Sequence, residues 1–184
     1  MADLSDTKVL ILAADYFEDA ELFEPRQALL DAGASVVVAS IKKAPIQGVK
    51  NDSEPTRTID VDLTLDEVDT EEFDALLLPG GALNPDKMRQ EERAVEVVAE
   101  FMEDEKTVAA ICHAPWLLIE ADVVEGRRVT GYASIRTDLE NAGGDVVDEP
   151  VVVDGNLITS RKPDDIPAFN KALLKALEEE LAAA

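Results

Sequence analysis

Apolar residues in this chain come in short unbroken blocks, separated by longer stretches where they recur every three or four positions. The blocks are "KVLILAA" (Lys8–Ala14), "SVVVAS" (Ser35–Ser40), "ALLLPGG" (Ala75–Gly81) and "TVAAIC" (Thr107–Cys112). Unbroken blocks of this length, bounded by turn residues, predict strands buried on both faces. The stretches between them predict helices. Glu18–Ala32 carries Leu22, Leu29 and Leu30 and stops at Gly33, a residue suited to a helix C-terminus. Glu92–Glu103 puts Ala94, Val97, Val98 and Phe101 on one face, and Ala114–Ala121 follows the fourth block directly. A short helix around Asp138 stops at "NAGG", and Pro163–Leu181 sets Phe169, Leu173, Leu177 and Leu181 on a core-facing stripe.

Strands alternating with helices predict an α/β fold. "VVVDGNLIT" adds one antiparallel hairpin turning at Asp154-Gly155. "IKKAPIQGVKNDSEPTRTIDVD" reads as a polar connection with a short strand near Thr58–Leu63. No repeat, low-complexity tract or linker interrupts the pattern. The expectation is one domain over 1–184, a three-layer α/β/α sandwich with a mainly parallel, flavodoxin-like sheet.

Composition refines this picture. Hydrophobic residues are 46% of the chain but aromatics only 4%, so the core must be aliphatic. The net charge is −23, which would suggest disorder if the acids did not alternate with strongly periodic apolar runs. The expectation is a folded body with an acidic, hydrated surface, as suits a salt-rich cytoplasm. An acidic protein of an ordinary cytoplasm is the other reading. The same charge argues against nucleic-acid or anionic-membrane partners. A single cysteine excludes an internal disulfide and a Cys-rich zinc site, and no metal or cofactor is expected. "MADLSDTK" does not read as a secretory leader, so none is expected, and no apolar run is long enough to span a bilayer. A soluble, cytoplasmic protein is expected.

In open α/β sheets ligands sit beyond the carboxyl ends of the strands, so the residues ending each block are the candidates for chemistry. After the first block, "LAADYFEDAELF" lacks the glycines of a dinucleotide site. It offers Asp15, Glu18, Asp19 and Glu21, which repel phosphate. Taken alone, Glu18 is adequately explained as a first-turn acid favoured by the helix dipole. After the third block, Pro79-Gly80-Gly81 turns sharply and leaves backbone N–H groups uncovered. This is either an ordinary loop or half of an oxyanion hole. Asp86 reads as heading the short helix that follows, a capping position. The fourth block ends in "AICHAPWLL", which holds Cys112 and His113, the only cysteine and the only histidine. A lone cysteine in an apolar run is usually buried and inert. This one sits between strand and helix, flanked by small residues and followed by a polar one, as at a nucleophile elbow. The helix N-terminus there should favour the thiolate.

Together "YFEDAEL", "LPGGALNPDKMR" and "AICHAPWLL", with "GRRVTGYASIRTDLENAGG" and "EPVVVDGNLITSRKPDDIPAF", resemble the ThiJ/PfpI family of the class I glutamine-amidotransferase-like superfold. Within it the chain looks most like the PfpI-type intracellular peptidases and general stress proteins. The resemblance implies Cys112 as nucleophile, His113 as the adjacent histidine, and Glu18 as the acid bonded to the sulfur. It implies an oxyanion hole from the Gly81 and His113 amides. Asp86 matches an acidic position that reaches the histidine across a dimer interface, and Tyr132 falls where some members place a pocket tyrosine. A homodimer or a higher homo-oligomer follows. The activity implied is that of a cysteine-dependent stress enzyme acting on reactive aldehydes such as methylglyoxal, or on glycated groups. Two alternatives stand beside it: a cysteine peptidase acting on peptides, and a non-enzymatic redox sensor or chaperone.

Overall fold

The structure, a computed structural model, describes residues 3–183; the terminal residues 1, 2 and 184 of the span read as one domain lie outside it. Its elements in chain order are β1 (Lys8–Leu12), β2 (Phe17–Glu18), α1 (Asp19–Asp31), β3 (Ser35–Ser40), β4 (Ile46–Lys50), β5 (Glu54–Ile59), β6 (Leu63–Thr64), β7 (Ala75–Leu78), α2 (Leu83–Met88), α3 (Glu92–Glu103), β8 (Thr107–Ile111), α4 (Pro115–Glu120), β9 (Arg128–Val129), α5 (Arg136–Asn141), β10 (Asp145–Val146), β11 (Val151–Asp154), β12 (Leu157–Ser160) and α6 (Ile166–Ala183). The central sheet runs β11-β12-β8-β7-β1-β3-β6. Every pairing in it is parallel except β11 with β12.

β1 shows why the apolar blocks are unbroken. Val9 and Ile11 point into one cluster, where Leu22 and Leu29 of α1 meet Phe169, Leu173 and Leu177 of α6. Leu10 and Leu12 point into the other, with Val97 and Phe101 of α3 and Leu117 of α4. Strand side chains alternate between faces, so a strand covered on both sides must be apolar at every position. The three-layer α/β/α arrangement is therefore present, with the parallel sheet inside.

Several local expectations are corrected. The hairpin turns one residue later than expected: Asp154 pairs with Leu157, so Gly155-Asn156 form the turn. Gly155 takes the positive φ of +58° that the first turn position requires. Leu181 is not on the core stripe, because residues 178–183 of α6 are all exposed. Asp86 does not head α2. The helix begins at Leu83 and Asp86 lies in its fourth position.

The largest difference is in the segment read as a polar connection. It folds into the β4–β5 hairpin, and β4 pairs in parallel with β2 through Phe17–Gly48 and Glu18–Val49. Asn51 and Asp52 turn it with φ of 53° and 58°, a conformation that Asn and Asp tolerate better than most residues. A Cβ at Gly48 would lie 3.0 Å from the Phe17 ring, so glycine lets β4 approach. The hairpin was hidden because β5 has no apolar alternation: five of its six residues are exposed.

Candidate functional site

The sheet order reverses beside β1, and the chain ends leaving β1, β7 and β8 gather at the carboxyl edge. Cys112 follows β8 with a φ of +66°, a left-handed conformation costly for a residue with a Cβ. Its backbone is held in place: Cys112 N–H donates to Ser160 O at 3.1 Å, and Cys112 O accepts from Tyr132 N–H at 2.8 Å. The "PGG" turn after β7 is pinned by buried Asn84, whose Nδ2 donates to the carbonyls of Pro79 and Gly80 at 2.9 and 3.0 Å. Asn84 Oδ1 also accepts from Ala14 N–H at 2.7 Å, tying this turn to the end of β1. Gly80 admits no side chain, because a Cβ there would collide with Glu21 Oε2 and lie 2.6 Å from Cys112 Cβ. The N–H groups of Gly81 and His113 both point at the Cys112 sulfur.

The acid at the sulfur is Glu21, not Glu18. Glu21 is fully buried, accepts from Gly80 N–H at 3.0 Å, and lies within hydrogen-bonding reach of the Cys112 thiol. Its other oxygen, Oε1, has no well-formed hydrogen bond, so the carboxyl has an oxygen free to carry a proton. Burial pushes the Glu21 carboxyl up to about 8. The thiol is pushed up as well, by burial first and then by the charge of Glu21, against the pull of the Gly81 and His113 amides. The thiolate preference expected from the helix N-terminus is thus outweighed: α4 is only six residues long, and the buried pair resists carrying two negative charges.

Glu18 has a different environment. Its carboxylate accepts from Asn51 N–H at 3.3 Å and Asp52 N–H at 3.5 Å, both from the β4–β5 turn. It sits at the junction of β2 and α1, whereas Glu21 lies one helical turn further along. Glu21, Pro25 and Leu29 share a buried stripe four residues apart, so the signal for Glu21 was a carboxylate on the core face of α1.

His113 does face the sulfur within one chain. Its Nδ1 lies 3.1 Å from Cys112 Sγ, and its Nε2 lies 3.1 Å from Ser134 Oγ. The positive φ at Cys112 turns the two neighbouring side chains towards each other. Tyr132 stacks on the imidazole with ring centroids 4.6 Å apart and 26° between planes. Burial lowers the pKa of His113, with the charge of Asp52 opposing, so the ring is held neutral near pH 7.

Within the chain Asp86 makes no bond to His113. Its Oδ1 accepts from Arg89 Nε and Nη2 at 3.0 and 2.7 Å, and the Arg89 guanidinium lies 4.5 Å over the Trp116 ring. Tyr132, 39% exposed, also lines a cavity of ≈ 630 Å³ with Glu18, Lys50, Asn51 and Lys162 among its walls. Among the described residues no group of three or more His, Cys, Asp and Glu side chains is placed to hold a metal. The arrangement thus gives a nucleophile with a proton donor on one side, a neutral base on the other, and two backbone donors aimed at it.

Known proteins place this geometry in a family. The pattern of the DJ-1/PfpI family matches residues 7–176. General stress protein 18 of Bacillus subtilis is 48% identical over 173 residues, covering 94% of this chain and 98% of that protein. A protein of Pyrococcus abyssi named as a deglycase is 46% identical over 171 residues, covering 93% and 99%. In three dimensions the chain matches a solved two-domain protein of Anabaena variabilis with DJ-1/ThiJ/PfpI-like and ferritin-like domains. The TM-score is 0.87 and the identity 43%, over 93% of this chain and 48% of that one. The chain belongs to the DJ-1/PfpI family.

Proposed function

We propose that the protein is a cysteine-dependent enzyme that acts on small reactive aldehydes such as methylglyoxal, or on the adducts they form with amines. The observation that carries this reading is the Cys112 thiol placed between a carboxyl that holds its proton up to about pH 8 and a neutral imidazole. His113 Nδ1 takes the thiol proton as sulfur attacks the aldehyde carbon. The C–S bond forms, the carbonyl electrons move to oxygen, and a proton supplied by the site completes a hemithioacetal. Removal of the proton from that carbon, and its return to the neighbouring carbonyl carbon, gives a thioester of the 2-hydroxy acid. Water then releases the acid and restores the thiol. One carbon is oxidised and its neighbour reduced, so no external redox partner is needed. On an amine adduct the sulfur displaces nitrogen at the carbinolamine carbon: the C–S bond forms, the C–N bond breaks, and the amine leaves with the proton that His113 took from the thiol.

A nearly buried thiol, 5% exposed, suits a small carbonyl compound better than an extended peptide. Methylglyoxal consumption and lactate formation test the reading, in the wild type and in Cys112→Ala and Glu21→Gln. A wild type that leaves methylglyoxal untouched but cleaves peptides would replace it with the peptidase reading. Loss of oxidant sensing or chaperone action in Cys112→Ala, without any turnover, would favour the non-enzymatic one.

The setting proposed with this activity is a salt-rich cytoplasm and a homodimer that brings Asp86 of the partner subunit towards His113. The charge of −23 supports the first, and equal thermal stability with and without molar KCl would overturn it. Among the described residues no helix is long and apolar enough to cross a membrane. Sedimentation of the purified protein tests the dimer.

A further inference from the structure

His113 is held on three sides by its own chain. Nδ1 faces the Cys112 sulfur at 3.1 Å, one ring face lies against Tyr132, and Nε2 meets Ser134 Oγ at 3.1 Å. The segment that supplies the last two contacts is fixed at both ends. Tyr132 N–H donates to Cys112 O at 2.8 Å, Ile135 N–H donates to Tyr132 O at 3.0 Å, and Ile135 is fully buried. Ser134 is thus carried on a short 3₁₀ turn, Ala133–Ile135, anchored to the backbone of the nucleophile itself.

We propose that Ser134 is a positioning residue for the site: its hydroxyl accepts the Nε2–H of His113 and so fixes Nδ1 as the nitrogen that takes the Cys112 proton. The donor inventory supports this direction. Burial keeps Glu21, within reach of the sulfur, protonated at neutral pH, so the thiol proton has no carboxylate to receive it and is free for Nδ1; a neutral imidazole with Nδ1 as acceptor carries its proton on Nε2. Ser134 Oγ accepts the hydrogen bond of that N–H. When the thiol proton moves to Nδ1 the ring becomes a cation, and Nε2–H still points at the same oxygen. A hydroxyl does this without adding charge to a site that already holds Glu21, and Ser134 needs no second chain to do it. A carboxylate of a partner subunit would act on a ring whose orientation is already set.

The inference rests on reading His113 as the base of Cys112, but its first test needs no substrate. The chain contains one histidine, so the imidazole signals of ¹⁵N-labelled protein require no assignment. In the wild type the ring proton should reside on Nε2 and exchange slowly with water. In Ser134→Ala that proton should exchange faster and the Nε2 shift should move, and Ser134→Thr should restore both. Loss of one neutral hydrogen bond predicts a fall in kcat of roughly fivefold, with KM unchanged. Ser134 is exposed, so neither variant should disturb folding. Identical imidazole spectra in wild type and Ser134→Ala would overturn the inference even if activity fell. So would spectra that respond to Asp86→Asn and not to Ser134→Ala. An inactive wild type with the predicted imidazole response would count against the proposed reaction and leave the positioning role standing.

Discussion

The two sides of Cys112 are built on opposite plans. On one side Glu21 of α1 is sealed against the turn after β7, fully buried, with backbone donors from Gly80 and Gly81 and one oxygen left over. On the other side His113 stands at the rim, with half-open Tyr132 against its face and exposed Ser134 at its far nitrogen. The buried side stores a proton because ionising a carboxyl there is costly. The His113 side exchanges a proton because its buried imidazole is held neutral and has partners in either protonation state. A thiol between them can lose its proton outward while a second proton supports the resulting charge from within. Burial alone, acting on two titratable groups, separates these roles.

The largest effect should come from removing the group the two sides share. Cys112→Ala should reduce aldehyde turnover to the uncatalysed background, measured by lactate formation, with the fold retained by circular dichroism. Next, Glu21→Gln keeps the shape and the bond from Gly80 N–H but removes the acidic proton. Proton-transfer catalysis contributes about 10²–10⁴-fold, and kcat should fall within that range. A loss of less than tenfold would mean that the buried side does not serve the chemistry. The pH profile sharpens the same contrast. Activity should decline on the alkaline side near pH 8 as Glu21 loses its proton, and on the acid side below the ordinary histidine range, where His113 becomes charged.

The buried side should also weaken the protein. The Glu21 carboxyl is raised from 4.5 to about 8 in the folded chain. Below pH 4.5 both states are protonated and the group has no pH-dependent effect. Between 4.5 and 8 the unfolded chain ionises while the folded chain does not, so stability falls as pH rises, and the full cost is present above 8. A shift of this size is on the order of a few kcal/mol. Glu21→Gln should therefore raise Tm relative to wild type, more at pH 8.5 than at pH 4.5. An equal Tm difference at both pH values would place the cost elsewhere.

Most of this was visible in the chain because burial on two faces writes itself as unbroken apolar runs. The four apolar blocks coincide within a few residues with β1, β3, β7 and β8. Cys112 and His113 were legible from their place at the end of such a run. What stayed hidden depended on contacts between distant segments. Glu21 looked like one of several acids in "YFEDAELF", and only the stripe it shares with Pro25 and Leu29 marks it as inward. Ser134 lies 21 residues from the ring it meets, in a turn with no pattern of its own. Asn51 and Asp52 sit in a hairpin whose second strand is almost wholly exposed. Local pattern reports which face is covered, and it says nothing of which surface loop returns to which strand end.

The smallest effect separates the two acids that the sequence could not tell apart. Glu18 and Glu21 are three residues apart, yet only Glu21 faces sulfur. Glu18 is engaged by Asn51 N–H and Asp52 N–H, contacts that hold the β4–β5 turn over the site. A glutamine at position 18 retains an acceptor oxygen for those amides and loses only charge. Glu18→Gln should therefore change kcat by less than about threefold, within the range of one neutral hydrogen bond. It should also lower the pKa of Glu21, since the charge of Glu18 contributes to raising it. The alkaline limb of the activity profile would then move to lower pH. A Glu18→Gln loss as deep as that of Glu21→Gln would mean that substrate, and not only the hairpin, meets the carboxylate of Glu18.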